Sequence, residues 1–216
     1  MNNMVKIFGK ITDFNNTPLS NAEIQLMDKD WNVIYRTESN KNGDYELIVE
    51  RNIYFALYGC KDYKVNYLEF WGWNIHAFKD LPVDMKTDGI EIYAINAFKV
   101  QYKLNGTDET IHLYFRPMSL KRYKTLDEPD SIIDIAPKLD LSDVVVEIND
   151  TKSNVLSLDL VKEFGEDSRY IYAYLAQVSI DKSIVSDEFY EIKIYIKDSQ
   201  TNEFGMGILH YSNKQF

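Results

Sequence analysis

Along most of this chain, apolar and polar residues trade places at every second position. In "VKIFGKI", Val5, Ile7, Gly9 and Ile11 share one side and Lys6 and Lys10 the other. That is the period of a strand with one buried face. "NAEIQLMD" repeats it with Ala22, Ile24 and Leu26, "WNVIYRT" with Trp31, Val33 and Tyr35, "YELIVE" with Tyr45, Leu47 and Val49, and "IYFALYG" with Ile53, Phe55 and Leu57. The connectors carry turn residues. "DFNNTPLSN" is a loop, and Asn42-Gly43 marks a hairpin because glycine accepts a positive φ. Short strands joined by tight turns predict a β-sandwich over the first 95 residues.

The style continues beyond residue 95. "AFKVQYKLNGTDETIHLYFRPM" predicts two strands around Asn105-Gly106. "SDVVVEIND" offers Val144, Val146 and Ile148, and "RYIYAYLAQVSI" sets Tyr170, Tyr172 and Tyr174 against Ile171, Ala173 and Leu175. A closing hairpin points Ile192, Ile194 and Ile196 inward. One short helix is expected near 158–164, with Ser157 as N-cap, Leu160, Val161 and Phe164 on one face, and Gly165 to end it. "IEIYAINAFKV", Ile90 to Val100, reads as unbroken strand, so a first unit over 4–95 should run almost directly into a second over 96–216, with a restricted hinge.

Gly9, Pro18, Leu19, Ala22, Thr37, Asn42, Gly43 and Tyr45 fall in the order Gly, Pro-Leu-x-x-Ala, Thr-x-x-Asn-Gly-x-Tyr. In this the first half resembles the carboxypeptidase regulatory-like domain, a family with a transthyretin-like β-sandwich. The chain departs from it at Gly59-Cys60, where the family often has Gly-Tyr, and in the longer aromatic stretch "YKVNYLEFWGWNI". The second half resembles bacterial immunoglobulin-like modules in general pattern. The resemblance implies an all-β protein of two consecutive sandwiches that supports, spaces or binds. It also implies an exported or cell-surface setting, whereas "MNNMVKIFGK" lacks the apolar stretch of a signal peptide, so location stays open.

Composition narrows the function. The chain has 216 residues, 16 of them Tyr and 11 Phe, enough for a sizeable core. Net charge is −10, with 10 basic and 14 acidic residues up to Ile95, then 14 and 20. Neither half offers an overall basic surface for nucleic acid. The basic run "RPMSLKRYK", Arg116 to Lys124, is expected as a solvated loop. No apolar run approaches the ~18 residues that span a membrane as a helix.

Chemistry is sparsely signalled. His76, His112 and His210 have no zinc spacing. The metallocarboxypeptidase signature and the His-x-His of intradiol dioxygenases are both missing. "ESNKNGDYELIV" imitates a calcium loop until its twelfth position, which is Val49 rather than an acid. Cys60, the single cysteine, reads as a buried thiol. An isopeptide crosslink would need a buried lysine, and Lys6 and Lys10 lie on a polar face. No cofactor, no metal and no enzyme are therefore expected.

The remaining signal is "EFWGWN". On a strand Tyr67, Glu69, Trp71 and Trp73 share a face, with neighbours about 7 Å apart. Two indoles with a carboxylate between them could receive a carbohydrate or protein ligand. Alternatively the rings pack between parts of the protein or between subunits, because each bare Trp leaves roughly 200 Å² of apolar surface in water. The sequence predicts a non-catalytic binding or adhesion-type module using Trp71, Trp73, Tyr67 and Glu69, with an assembly subunit as the alternative. Oligomeric state is open.

Overall fold

A computed structural model describes residues 3–99, 109–126, 135–164, 170–181, 183–184 and 189–212. The protein is all-β, and its layers are sandwiches. The first half supplies β1 (Met4–Thr12), β2 (Glu23–Met27), β3 (Val33–Glu38), β4 (Asp44–Glu50), β5 (Asn52–Cys60), β6 (Phe70–Ala77), β7 (Leu81–Pro82), β8 (Met85–Lys86) and β9 (Ile90–Lys99). β1 pairs antiparallel with β4 and parallel with β7 and β8, forming a small sheet. At the turn before β4, Gly43 takes φ 78°, and the Asn40 carboxamide oxygen accepts from the N–H groups of Asn42 and Asp44. The expected inward residues Val5, Ile7, Ile11, Tyr45, Leu47 and Val49 are buried against Ile24, Leu26, Leu57, Phe70 and Ile75. Lys6 and Lys10 stay exposed and pair with Glu46 and Asp44.

The second half supplies β10 (Thr110–Ser119), the helix α1 (Leu120–Lys124), a 3-10 turn (Leu141–Asp143), β11 (Val144–Ile148), β12 (Thr151–Ser153), β13 (Val155–Phe164), β14 (Tyr170–Ser179), β15 (Tyr190–Asp198) and β16 (Glu203–Tyr211). One layer runs β9-β10-β14-β13. It faces β11 and β15, and the core between them holds Ile111, Leu113, Phe115, Val146, Ile192 and Ile194.

β16 joins the halves. One edge pairs antiparallel with β15 along its whole length. The other pairs parallel with β6, Gly207 to Leu209 beside Trp71 to Trp73, and at Gly205 touches Ile90 of β9. A single sheet thus runs β3-β2-β5-β6-β16-β15-β11-β12 through both halves. The small sheet covers one face of it in the first half; β9-β10-β14-β13 covers the opposite face in the second. Met206 and Ile208 of β16 enter the first core and Leu209 the second. A strand buried on both faces loses its alternation, and "FGMGILH" shows that.

Several sequence expectations need correction. The helix near 158–164 is strand: β13 pairs with β14 from Val155↔Val178 to Phe164↔Tyr170. Leu156, Leu158 and Leu160 alternate with Ser157 and Asp159, and cross-strand bonding satisfies that period of two where an isolated short helix would be marginal. Trp31 is in the turn before β3, with φ 65°. Ile53 is exposed while Tyr54, Ala56 and Leu57 are buried, because β5 is sandwiched between layers. Tyr174 is buried together with Ala173, so the two faces that the sequence set apart are not one dry and one wet; its hydroxyl donates to the Pro137 carbonyl. The basic run forms the end of β10 and α1, not a loop. The Asn105-Gly106 turn lies outside the described residues. No helix among them is long and apolar enough to cross a membrane.

Candidate functional site

The two sheets that cover the shared sheet are offset, so each leaves a step. At the step in the first half the shared sheet exposes β2, β5 and β6, and there the predicted tryptophans lie. Trp71 and Trp73 are 5% and 6% exposed. Their rings stack at 5.3 Å with 18° between planes. Tyr93 of β9 stands edge-on to both, at 5.5 and 5.4 Å. Trp31 is likewise perpendicular to both, at 5.9 and 6.1 Å, and parallel to Tyr93. Phe55 and Tyr58 close the flanks. Such pairs contribute ~1 kcal/mol each beyond area burial.

Trp31 is held over this cluster by local chemistry. The Asp28 carboxylate accepts from the N–H groups of Asp30 and Asn32 and from the Asn32 side chain, and the Trp31 N–H donates to the Asp28 carbonyl. That Asx turn imposes the positive φ, which a bulky residue takes at a cost of roughly 1–3 kcal/mol. Trp31 remains 45% exposed and is the outermost ring.

Of the other two predicted residues, Glu69 stays with the indoles: Trp71 Nε1 donates to its Oε2 at 3.1 Å. Tyr67 packs against the first core, on the opposite side of the sheet. Trp73 Nε1 is buried with no hydrogen-bond partner among the described residues. Trp31, Tyr93 and Glu91 were missed. The signals were "DKDWN", an Asx-turn pattern, and the lone carboxylate between Ile90 and Ile92.

Glu91 lies beside Glu69, 5% exposed, and accepts from the Glu69 N–H at 3.3 Å. Burial, with the Glu69 charge added, pushes its carboxyl up to about 8. Burial also raises Glu69 and pushes the Cys60 thiol up to about 12. The thiol is inert as a nucleophile in that state.

The other buried charges brace the seam. Glu203 accepts from Ser119 Oγ at 2.6 Å and the Lys121 N–H at 2.9 Å. Asp198, fully buried, accepts from Arg122 Nη2 at 2.9 Å and the Gln200 N–H at 2.9 Å. Burial pushes Asp198 up, but these donors outweigh it and hold the carboxyl below its usual range. Asp88 accepts from the Phe204 N–H. Of the α1 cations, Arg122 is thus engaged inside the fold by Asp198, while Lys121 and Lys124 stay exposed.

The second step is an open cleft of about 840 Å³ between β7-β8 and the bare face of β15 and β16. Lys193 there bridges Asp150 and Glu191. Glu191 also approaches His210 Nε2 at 3.4 Å, and His210 Nδ1 accepts the His76 N–H. Among the described residues no three His, Cys, Asp or Glu side chains converge as metal ligands.

No protein-family model matches the chain, and no curated relative does. Solved structures give distant likenesses. The major pilin subunit of Bacillus cereus is 14% identical over 97% of this chain and 70% of its own, with TM-score 0.30. A DUF3823 family protein from Parabacteroides merdae is 10% identical over 97% and 98%, with TM-score 0.31. The major pilin of Corynebacterium diphtheriae is 8% identical over 98% and 64%, with TM-score 0.27.

Proposed function

We propose that the chain is a non-catalytic structural module that acts through contacts with proteins, with its aromatic cluster serving as internal bracing. The observation that carries this reading is the mutual engagement of Trp31, Trp71, Trp73 and Tyr93, which ties the β2–β3 turn, β6 and β9 together where the layers part. The buried carboxylates at the seam support it, since Asp198 and Glu203 hold backbone and cations in place. We take residues 4–95 as a carboxypeptidase regulatory-like unit and 96–216 as an immunoglobulin-like unit. The support is that Leu19 and Ala22 are buried, Gly43 has the positive φ, and Tyr45 donates its hydroxyl to the Val83 carbonyl. Light scattering over a range of concentrations tests the assembly version. A mass above the 25.3 kDa monomer supports it, and a monomer throughout counts against it.

A second reading keeps Trp71, Trp73 and Glu69 as a ligand face for carbohydrate or protein, without Tyr67, which packs on the other side of the sheet. It is favoured by Trp31, which is strained, half exposed and the cover over the stacked indoles. A ligand ring would take the place of Trp31. Tryptophan quenching by a glycan panel should then be stronger in Trp31→Ala than in the wild type; no response in either removes the sugar version.

A further inference from the structure

Between β5 and β6 the chain makes a strap, residues 61–69, that is fastened within the first half at Asp88 and to the second half at Lys124. The Leu68 N–H donates to the Asp88 carbonyl at 2.8 Å, and Lys124 Nζ of α1 donates to the Val65 carbonyl at 2.7 Å. Lys64 Nζ lies over the rings of Tyr63 and Tyr123, at 5.0 and 4.8 Å. Asp62 and Lys64 both take positive φ to make the bend. Beneath it are the Cys60 thiol, whose Sγ reaches the Leu68 carbonyl at 3.8 Å, and the Glu91 carboxyl, whose contact with the strap is the Glu69 N–H.

The almost wholly buried Glu91 carboxyl therefore lies under a strap that carries a second carboxyl, Glu69. Facing Glu91 are Cys60 from β5, Tyr63, Lys64 and Glu69 from the strap, and Tyr93 on its own strand. Across on β10 its pair is Met118, while Arg116 is engaged by Glu163. β16 brings Glu203, held by Ser119 and Lys121. Among the described residues Lys64 is the cation directed at the two carboxyls, and its ammonium lies over two aromatic rings. An ionised Glu91 would put a second negative charge beside Glu69 away from water, and the simplest relief is for the strap to lift and admit solvent.

We propose that Glu91 is a proton-operated latch: its protonated form lets the strap lie closed over Cys60, and its ionised form releases the strap. The sign follows from linkage. The closed state binds the proton more tightly than the open one, whose carboxyl titrates near 4.5. Closure is therefore complete at low pH and weakens as pH rises from about 4.5 to about 8, after which it levels off. Acidification tightens the strap.

The test is labelling of Cys60 in the intact chain with a dithiodipyridine, from pH 5 to 9, each rate divided by that of the urea-unfolded chain at the same pH. Protection should fall by up to about tenfold per pH unit from 5 to about 8 and then plateau. Low urea should leave the rate unchanged, marking a local opening. Glu91→Gln should be flat with pH. Glu69→Gln, which removes the like charge, should reach its plateau at lower pH. Protection that does not change with pH in the wild type, or an equal slope in Glu91→Gln, overturns the proposal.

Discussion

A carboxyl between two isoleucines sets the most pointed expectation at the scale of single residues. Glu91 rises from 4.5 to about 8 through burial first and the Glu69 charge second. Its folded form holds a proton that the unfolded form has lost, so the contribution of Glu91 to stability is greatest below about pH 4.5 and drains away up to about 8. A shift of that size corresponds to ~5 kcal/mol at most. Glu91→Gln should flatten this dependence in urea melts between pH 5 and 8.5 and leave the variant the more stable protein at the upper end. Trp31→Ala should cost ~2 kcal/mol, because the edge-to-face and stacked ring pairs disappear while the strain of its φ is relieved. Its signature is a red-shifted emission as water reaches Trp71 and Trp73. The two indoles were conspicuous in the sequence because they are two apart. Their cover was not, since Trp31 is distant in the chain and the Asx turn that aims it has no fixed consequence until β6 and β9 lie beneath it.

For elements, alternation was legible wherever one face meets water: β1, β2, β4, β11 and β15 bury the residues that the period of two selects. It failed where both faces are covered. β5 and β16 sit between layers, and a continuous apolar run carries no register. β13 failed for another reason, because a stretch that opens on Ser157 and closes on Gly165 satisfies helix capping as well as strand pairing, and only β14 decides. β16 is also the most vulnerable element. A Cβ at Gly205 would stand 2.7 Å from the Ile90 carbonyl oxygen, so Gly205→Ala should destabilise by ~2 kcal/mol or more in denaturant melts. Arg122→Ala, which leaves Asp198 buried with only backbone donors, should cost ~3 kcal/mol, and the loss should shrink as acid neutralises Asp198.

In the whole molecule the two cores share a sheet. Calorimetry should show one unfolding transition. Ile75→Ala in the first core and Phe115→Ala in the second should both move that same transition, each by ~3–4 kcal/mol. Two resolved transitions would mean that the halves melt separately. The sequence displayed the strands that build the layers, but the pairing of β6 with the far later β16 leaves no local trace.

That late pairing has a consequence for biosynthesis. The layer begun at Met4 lacks Met206 and Ile208 until the ribosome has passed residue 208. Until then the nascent first half carries a raw sheet margin at β6 and an unroofed patch around Phe70, Ile75 and Leu57. The newborn chain is therefore obliged to wait, and whatever shelters it during translation must shelter that margin.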